Sequence, residues 1–250
     1  MPARAVVLKA YEIELAAIGI PVLRSSVVLK DRKFTPTLWM GLAFGLGLAM
    51  ATGVFAIKGT DEGAVRLALR VTARWSFVLF WFAYTGSAMT TLFGPAFAWL
   101  GRRGREFGLA YAAAQLIHVG LVAWLFQILS RLPLSGRLLF LFTVAIVWTY
   151  LLAFLSFGGL GEALGPRGWR TLRIVALNYI LFAFATDFVP AVFRSSHARY
   201  GVWLLVGYVP FAMMSLAAPV LVLAASARRG LGTRYSRATA LALPKIHKPA

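Results

Sequence analysis

The chain alternates long apolar stretches with short polar connectors. Six stretches are apolar over the roughly 20 helical residues that a hydrocarbon core requires. They are residues 37–57, 71–93, 106–129, 138–157, 171–193 and 201–225. Charged residues collect between them, because Lys, Arg or Asp at a membrane helix centre costs about 2.5 to 3.5 kcal/mol. The pattern predicts an all-α integral membrane protein with a bundle of six transmembrane helices.

Three regions follow from this pattern. Residues 1–36 are predicted as a cytoplasmic segment, whose apolar run at 16–23 fits either an interfacial amphipathic helix or a disordered arm. Pro21 breaks that run and no small-residue cleavage site follows, so we expect no cleaved signal peptide. Residues 37–225 form the transmembrane domain. Residues 226–250 are predicted as a basic cytoplasmic tail, solvated or bound to lipid headgroups.

Basic residues set the predicted orientation. Of the 26 Lys and Arg residues, 18 lie on the side of the two termini and 8 on the other side. The positive-inside rule therefore places both termini in the cytoplasm. We expect the protein to be a multi-pass protein of the inner (plasma) membrane. The net charge of +18 is spread over connectors and not along one helix face with stacking aromatics, so we expect no nucleic-acid partner. The absence of cysteine excludes disulfides, iron–sulfur clusters and covalently attached haem.

Polar side chains inside the predicted spans are expected to face the bundle interior, since lipid offers them no hydrogen-bond partner. Tyr111, Gln115 and His118 form one stripe at spacing i, i+4, i+7, and we expect this stripe to face the fifth helix. The fifth span adds four more interior candidates: Asn178, Tyr179, Thr186 and Asp187.

Two of these residues have both a functional and a structural interpretation. His118 is either a haem ligand or proton carrier, or a packing residue that hydrogen-bonds a neighbouring helix. Asp187 is the acidic residue placed deepest in a span, so it either has a role in transport or pairs with His118 or an outer arginine.

A basic row precedes the second predicted span. Arg66, Arg70 and Arg74 are spaced i, i+4, i+8 and lie near the outer surface. Such a row could bind a haem propionate, a quinone headgroup or an anionic partner. The alternative is that these side chains reach toward lipid phosphates.

Three short segments carry a resemblance to a known family. They are ThrAlaArgTrp at 72–75, ArgArgGlyArgGluPheGlyLeuAlaTyr at 102–111 and GlyProArgGlyTrpArgThrLeuArg at 165–173. In this order, over about residues 70–190, the chain resembles the ferric reductase-like transmembrane domain. That family includes the haem-binding membrane subunit of bacterial methionine sulfoxide reductase. The resemblance implies a cytochrome b-like bundle, and in the family b-type haem is held between histidines of the third and fifth helices.

The resemblance assigns the family's ligand positions in this chain. His118 matches one histidine of the third helix, and Gly104 stands at the other position. Arg173 and Thr186 stand at the two positions on the fifth helix. Three of four ligands are thus replaced, and the other two histidines of the chain, His197 and His247, lie in a connector and in the tail.

These observations predict a membrane subunit or scaffold that has lost its bis-histidine haem and is no enzyme on its own. No cofactor or metal ion is therefore predicted. The expected partners are the lipid bilayer and other membrane or periplasmic subunits. The alternative is a haem b electron-transfer subunit, linked to quinone or a reductase, that uses His118. A carrier for ions or small molecules through Asp187 ranks lower, since no repeat of broken helices is found.

Overall fold

The structure is a computed structural model of the 250-residue chain. It describes residues 36–129, 135–157, 160–194 and 206–242, without the side chains of residues 162, 194 and 232–242. The predictions for the N-terminal segment, for His197 and for the last residues of the tail fall outside this described part.

The described part of the chain is helical and contains no β-strand. Its six long helices are α1 Pro36–Lys58, α2 Glu62–Phe93, α3 Gly104–Ile128, α4 Gly136–Phe157, α5 Gly165–Arg194 and α6 Val209–Ala242. Each of these helices contains a stretch long and apolar enough to cross a membrane. The prediction of an all-α fold with six helices long and apolar enough to span a membrane is therefore confirmed for the part of the chain that the structure describes.

Several helices extend beyond the predicted apolar stretches. Helix α2 begins at Glu62, nine residues before the predicted span, and the Asp61 side chain caps it by accepting a hydrogen bond of 2.8 Å from the Ala64 amide. Helix α6 continues to Ala242 through part of the predicted tail. There Arg228 donates to two backbone carbonyls at the end of α2, those of Thr91 and Leu92, at 2.9 and 2.8 Å. Hydropathy marks the apolar middle of such helices and misses their polar ends.

Close backbone packing joins the end of α2 to the start of α3. Helix α2 ends at Phe93 and is followed by Gly94, whose φ of 89° lies in a region that favours glycine. A 3-10 turn Pro95–Phe97 and a short helix Ala98–Arg102 then fold back against α2. A Cβ on Gly86 would lie only 2.9 Å from the Leu100 carbonyl oxygen, so the short helix can pack here only against a glycine.

The core is aromatic and is shared by α2, α5 and α6. Phe77 is fully buried, and its ring centroid lies 5.1 Å from those of Phe184 and Phe188 on α5. Phe211 of α6 lies 6.0 Å from the same ring. Large apolar side chains also remain exposed on the outer faces, such as Phe140 of α4. A perimeter of this kind is suited to contact with acyl chains and not with water.

Candidate functional site

A cavity of about 400 Å³ lies between α2, α3, α4 and α5, at the end of the bundle where α3 and α5 begin. We call it the basic cavity, because Arg102, Arg105 and Arg173 line it. None of the described side chains in its lining is acidic. Its volume lies in the range of about 300 to 1,000 Å³ that is typical of small-molecule sites.

Contacts with neighbouring elements orient two of these arginines. Arg105 donates from Nη2 to the Ser156 carbonyl oxygen at 2.5 Å and so joins the start of α3 to the end of α4. The Arg173 guanidinium lies 5.9 Å from the centroid of the Trp169 ring. That ring packs against Gly161, where a Cβ would lie only 2.9 Å from a ring carbon. Glycine at 161 thus leaves room for the aromatic support of Arg173.

The deep end of the basic cavity carries a polar pair in an apolar wall. The Tyr111 hydroxyl lies 3.0 Å from Thr149 Oγ1. Thr149 donates to the Ala145 carbonyl of its own helix at 2.8 Å, so it accepts the proton of Tyr111. Phe80 packs edge-on against the Tyr111 ring at 5.3 Å. The cavity therefore changes from charged at its rim to apolar and hydrogen-bonded inside.

His118 lies outside this cavity and faces α2. Its Nδ1 is 3.2 Å from Thr72 Oγ1, and the Thr72 hydroxyl donates its proton to the Ala68 carbonyl at 2.9 Å. The prediction that the whole polar stripe faces α5 is therefore wrong for His118, although Tyr111 does contact Phe184 of α5 at 6.2 Å. Tyr111 and His118 are seven residues apart, which is about 10 Å of rise along α3. Because packed helices cross at an angle, the same face of α3 meets different helices at these two depths.

The other predicted interior residues divide into two groups. Gln115 is buried, and among the described residues its Oε1 has no hydrogen-bond partner. Tyr179 and Thr186 are half-buried and donate to backbone carbonyls. Asn178 and Asp187 are instead exposed on the surface of the bundle. Asn178 lies at the α2–α5 contact, where its Oδ1 accepts a hydrogen bond of 2.9 Å from the Tyr84 hydroxyl.

The basic row of α2 does not act as one site. Arg66 forms an exposed ion pair with Glu62, with Nε and Oε1 2.6 Å apart, and Arg70 is exposed. Arg74 is half-buried and donates to the Gly207 carbonyl just before α6 at 2.6 Å. Its guanidinium also lies 4.6 Å from the centroid of the Tyr208 ring. Arg74 therefore holds the start of α6 against α2, and only Arg66 and Arg70 are placed for an outside contact.

The residues of the basic cavity do not fit a bis-histidine haem. Gly104 and Arg173, two of the ligand positions that the resemblance assigns without a histidine, both line the cavity. Tyr111, the only phenol among the described residues of the lining, is hydrogen-bonded to Thr149. No group of three or more His, Cys, Asp or Glu that could hold a metal ion occurs in the part of the chain that the structure describes.

Sequence analysis did not predict this cavity. It used Arg102 and Arg105 for the membrane orientation and for the family resemblance, and it gave Thr149 and Trp169 no part in a site. The pair Gly104 and Gly108 could have indicated the cavity from the sequence. These glycines lie one turn apart at the start of α3 and leave space beside a cluster of arginines.

Comparisons of the chain with known protein-family models, curated proteins and solved structures gave no match. The resemblance to the ferric reductase-like domain therefore rests on the residues quoted for it.

Proposed function

We propose that this chain is a subunit of the bacterial inner membrane, with both termini cytoplasmic, and that its ferric reductase-like bundle serves as a scaffold without a bis-histidine haem. One observation carries the proposal. The two replaced ligand positions, Gly104 and Arg173, line one cavity on facing helices, and neither supplies an imidazole. The ligand position that does carry a histidine, His118, faces away from that cavity and contacts Thr72 of α2.

The residues available as haem ligands also explain why electron transfer is not the proposed activity. A relay through b-type haem needs an axial ligand held on each face of the macrocycle. His118 can supply one face at most, and no described residue of the cavity lining supplies an imidazole or thiolate for the other. A scaffold role in a complex with membrane or periplasmic subunits uses the bundle without requiring this chemistry.

An absorption spectrum of the full chain tests the proposal. The chain is purified in mild detergent from bacterial membranes that are supplied with excess haem, and haem is counted per chain. We expect less than about a tenth of a haem per chain and no sharp b-type band in the reduced-minus-oxidised spectrum. One haem per chain, lost in His118→Ala and retained in Tyr111→Phe, would instead establish a haem subunit that uses His118.

A further inference from the structure

The basic cavity has an excess of positive charge that nothing in its described lining balances. Arg102, Arg105 and Arg173 converge on one space, although they come from two separate segments of the chain. Arginine stays protonated under all physiological conditions. The three side chains are exposed, and with no described carboxylate in the lining their combined field attracts an anion.

The arrangement of the donors favours a phosphate group over a simple halide. A guanidinium offers five N–H donors in a planar fork that matches two oxygens of a phosphate. Arg105 uses part of its fork on the Ser156 carbonyl and keeps the remainder. Arg173 stacks near Trp169, which restricts its plane and lowers the entropy cost of binding.

The start of α3 adds a second attraction for an anion. Its first residue, Gly104, lines the basic cavity, and Arg103 before it makes no side-chain capping hydrogen bond. The first amide groups of a helix carry partial positive charge and lack partners within the helix. They therefore act in the same direction as the arginines.

The inner wall of the basic cavity is largely apolar, which favours an amphiphilic ligand. Leu109, Leu152 and Leu177 line the cavity together with the Tyr111–Thr149 pair. Arg105 and Tyr111 are six residues apart on α3, which is about 9 Å of rise. A ligand with a phosphate at the rim and an apolar portion next to it would match this gradient, and basic pockets between membrane helices are known to hold anionic lipid headgroups.

We propose that the basic cavity binds the phosphate group of an anionic amphiphile such as a phospholipid. The site depends on the lining of the cavity and not on the histidines. A haem-containing preparation that still binds the amphiphile would therefore overturn the proposed function and leave this inference intact.

Native mass spectrometry of the full chain in non-ionic detergent tests the inference. The protein is titrated with short-chain phosphatidylglycerol, with phosphatidylcholine, and with glycerol phosphate as the soluble source of the same group. We expect one saturable phosphatidylglycerol adduct, bound at least about tenfold more tightly than phosphatidylcholine. Equal binding of glycerol phosphate, lost in the same variants, would support the phosphate site and assign a soluble source.

Matched variants separate this site from general attraction of lipid to a basic protein. Arg105→Gln and Arg173→Gln should each weaken phosphatidylglycerol binding by about tenfold or more. Arg170→Gln, on the same turn of α5 but outside the lining, should leave binding within about twofold of the unchanged chain.

A second pair of variants fills space without changing charge. A Cβ at Gly108 meets no atom within 4 Å, so Gly108→Phe extends into the basic cavity and should abolish the adduct. Gly120→Phe makes the same change at an exposed, open position of α3 and should have no effect. Because charge and volume are tested separately, a folding defect in one set leaves the other decisive. Binding unchanged in the folded cavity variants would overturn the inference.

Discussion

Arg74 is the polar residue whose removal should weaken the bundle most clearly. It donates to the Gly207 carbonyl at 2.6 Å, and its guanidinium lies 4.6 Å from the Tyr208 ring centroid and 5.6 Å from that of Phe211. The substitution Arg74→Ala removes all of these contacts between α2 and the other helices at once.

The contacts give the size of the effect. A polar contact between membrane helices is worth about 0.6 to 1.7 kcal/mol. A cation–π contact contributes about 0.5 to 2 kcal/mol, depending on its burial. Arg74→Ala should therefore lower the free energy of unfolding by about 1 to 4 kcal/mol. Arg74→Lys keeps the charge but loses the planar fork, so it should cost about half as much.

This loss is measured by unfolding the purified chain in mixed micelles. Circular dichroism follows the helix content as the fraction of denaturing detergent rises. The matched control is Arg66→Ala, eight residues earlier on α2. It removes an ion pair whose side chains are 44% and 46% exposed, which is worth less than about 0.5 kcal/mol. If Arg74→Ala and Arg66→Ala shift unfolding by the same amount, Arg74 does not hold α6 in place.

Two further predictions concern contacts between helices, and a third concerns the topology. Gly86→Ala should destabilise the same unfolding transition by about 1 to 3 kcal/mol, because its methyl group would meet a backbone carbonyl at 2.9 Å. Gly41→Ala, which meets nothing within 4 Å, should be neutral or slightly stabilising. Tyr111→Phe should cost about 0.6 to 1.7 kcal/mol through loss of the Thr149 hydrogen bond, and a cost near zero would contradict it. A fluorescent-protein fusion at Ala250 should be bright and a phosphatase fusion inactive, since 18 basic residues lie on that side; the reverse pattern would place the C-terminus outside.

The apolar runs located every span because hydropathy is a local property. The helix ends depended on other chemistry. Helix α2 begins, after the Asp61 cap, with nine residues that include Glu62, Arg66 and Arg70. Because these charges lower the local hydropathy, a search for apolar segments missed about one quarter of the helix. A capping residue followed by an amphipathic stretch was the signal that could have placed the true start.

Contacts between helices could not be derived in the same way. Helical spacing correctly put Tyr111 and His118 on one face of α3, but it does not determine which helix lies opposite at each depth. The structure places α4 and α5 beside Tyr111 and α2 beside His118. Only the packing of the whole bundle determines these partners, because long helices cross at an angle and each one has several neighbours.

The basic cavity shows how the two proposals are related. Gly104 and Arg173, which the family resemblance aligns with two haem-ligand positions, both line this cavity. Neither side chain can coordinate a metal, whereas glycine leaves space and arginine adds positive charge, which suits an anion. The lipid titration and the haem spectrum therefore test different consequences of the same lining. An adduct without haem would indicate a bundle whose cavity binds a new ligand, whereas the absence of both would leave the scaffold role alone.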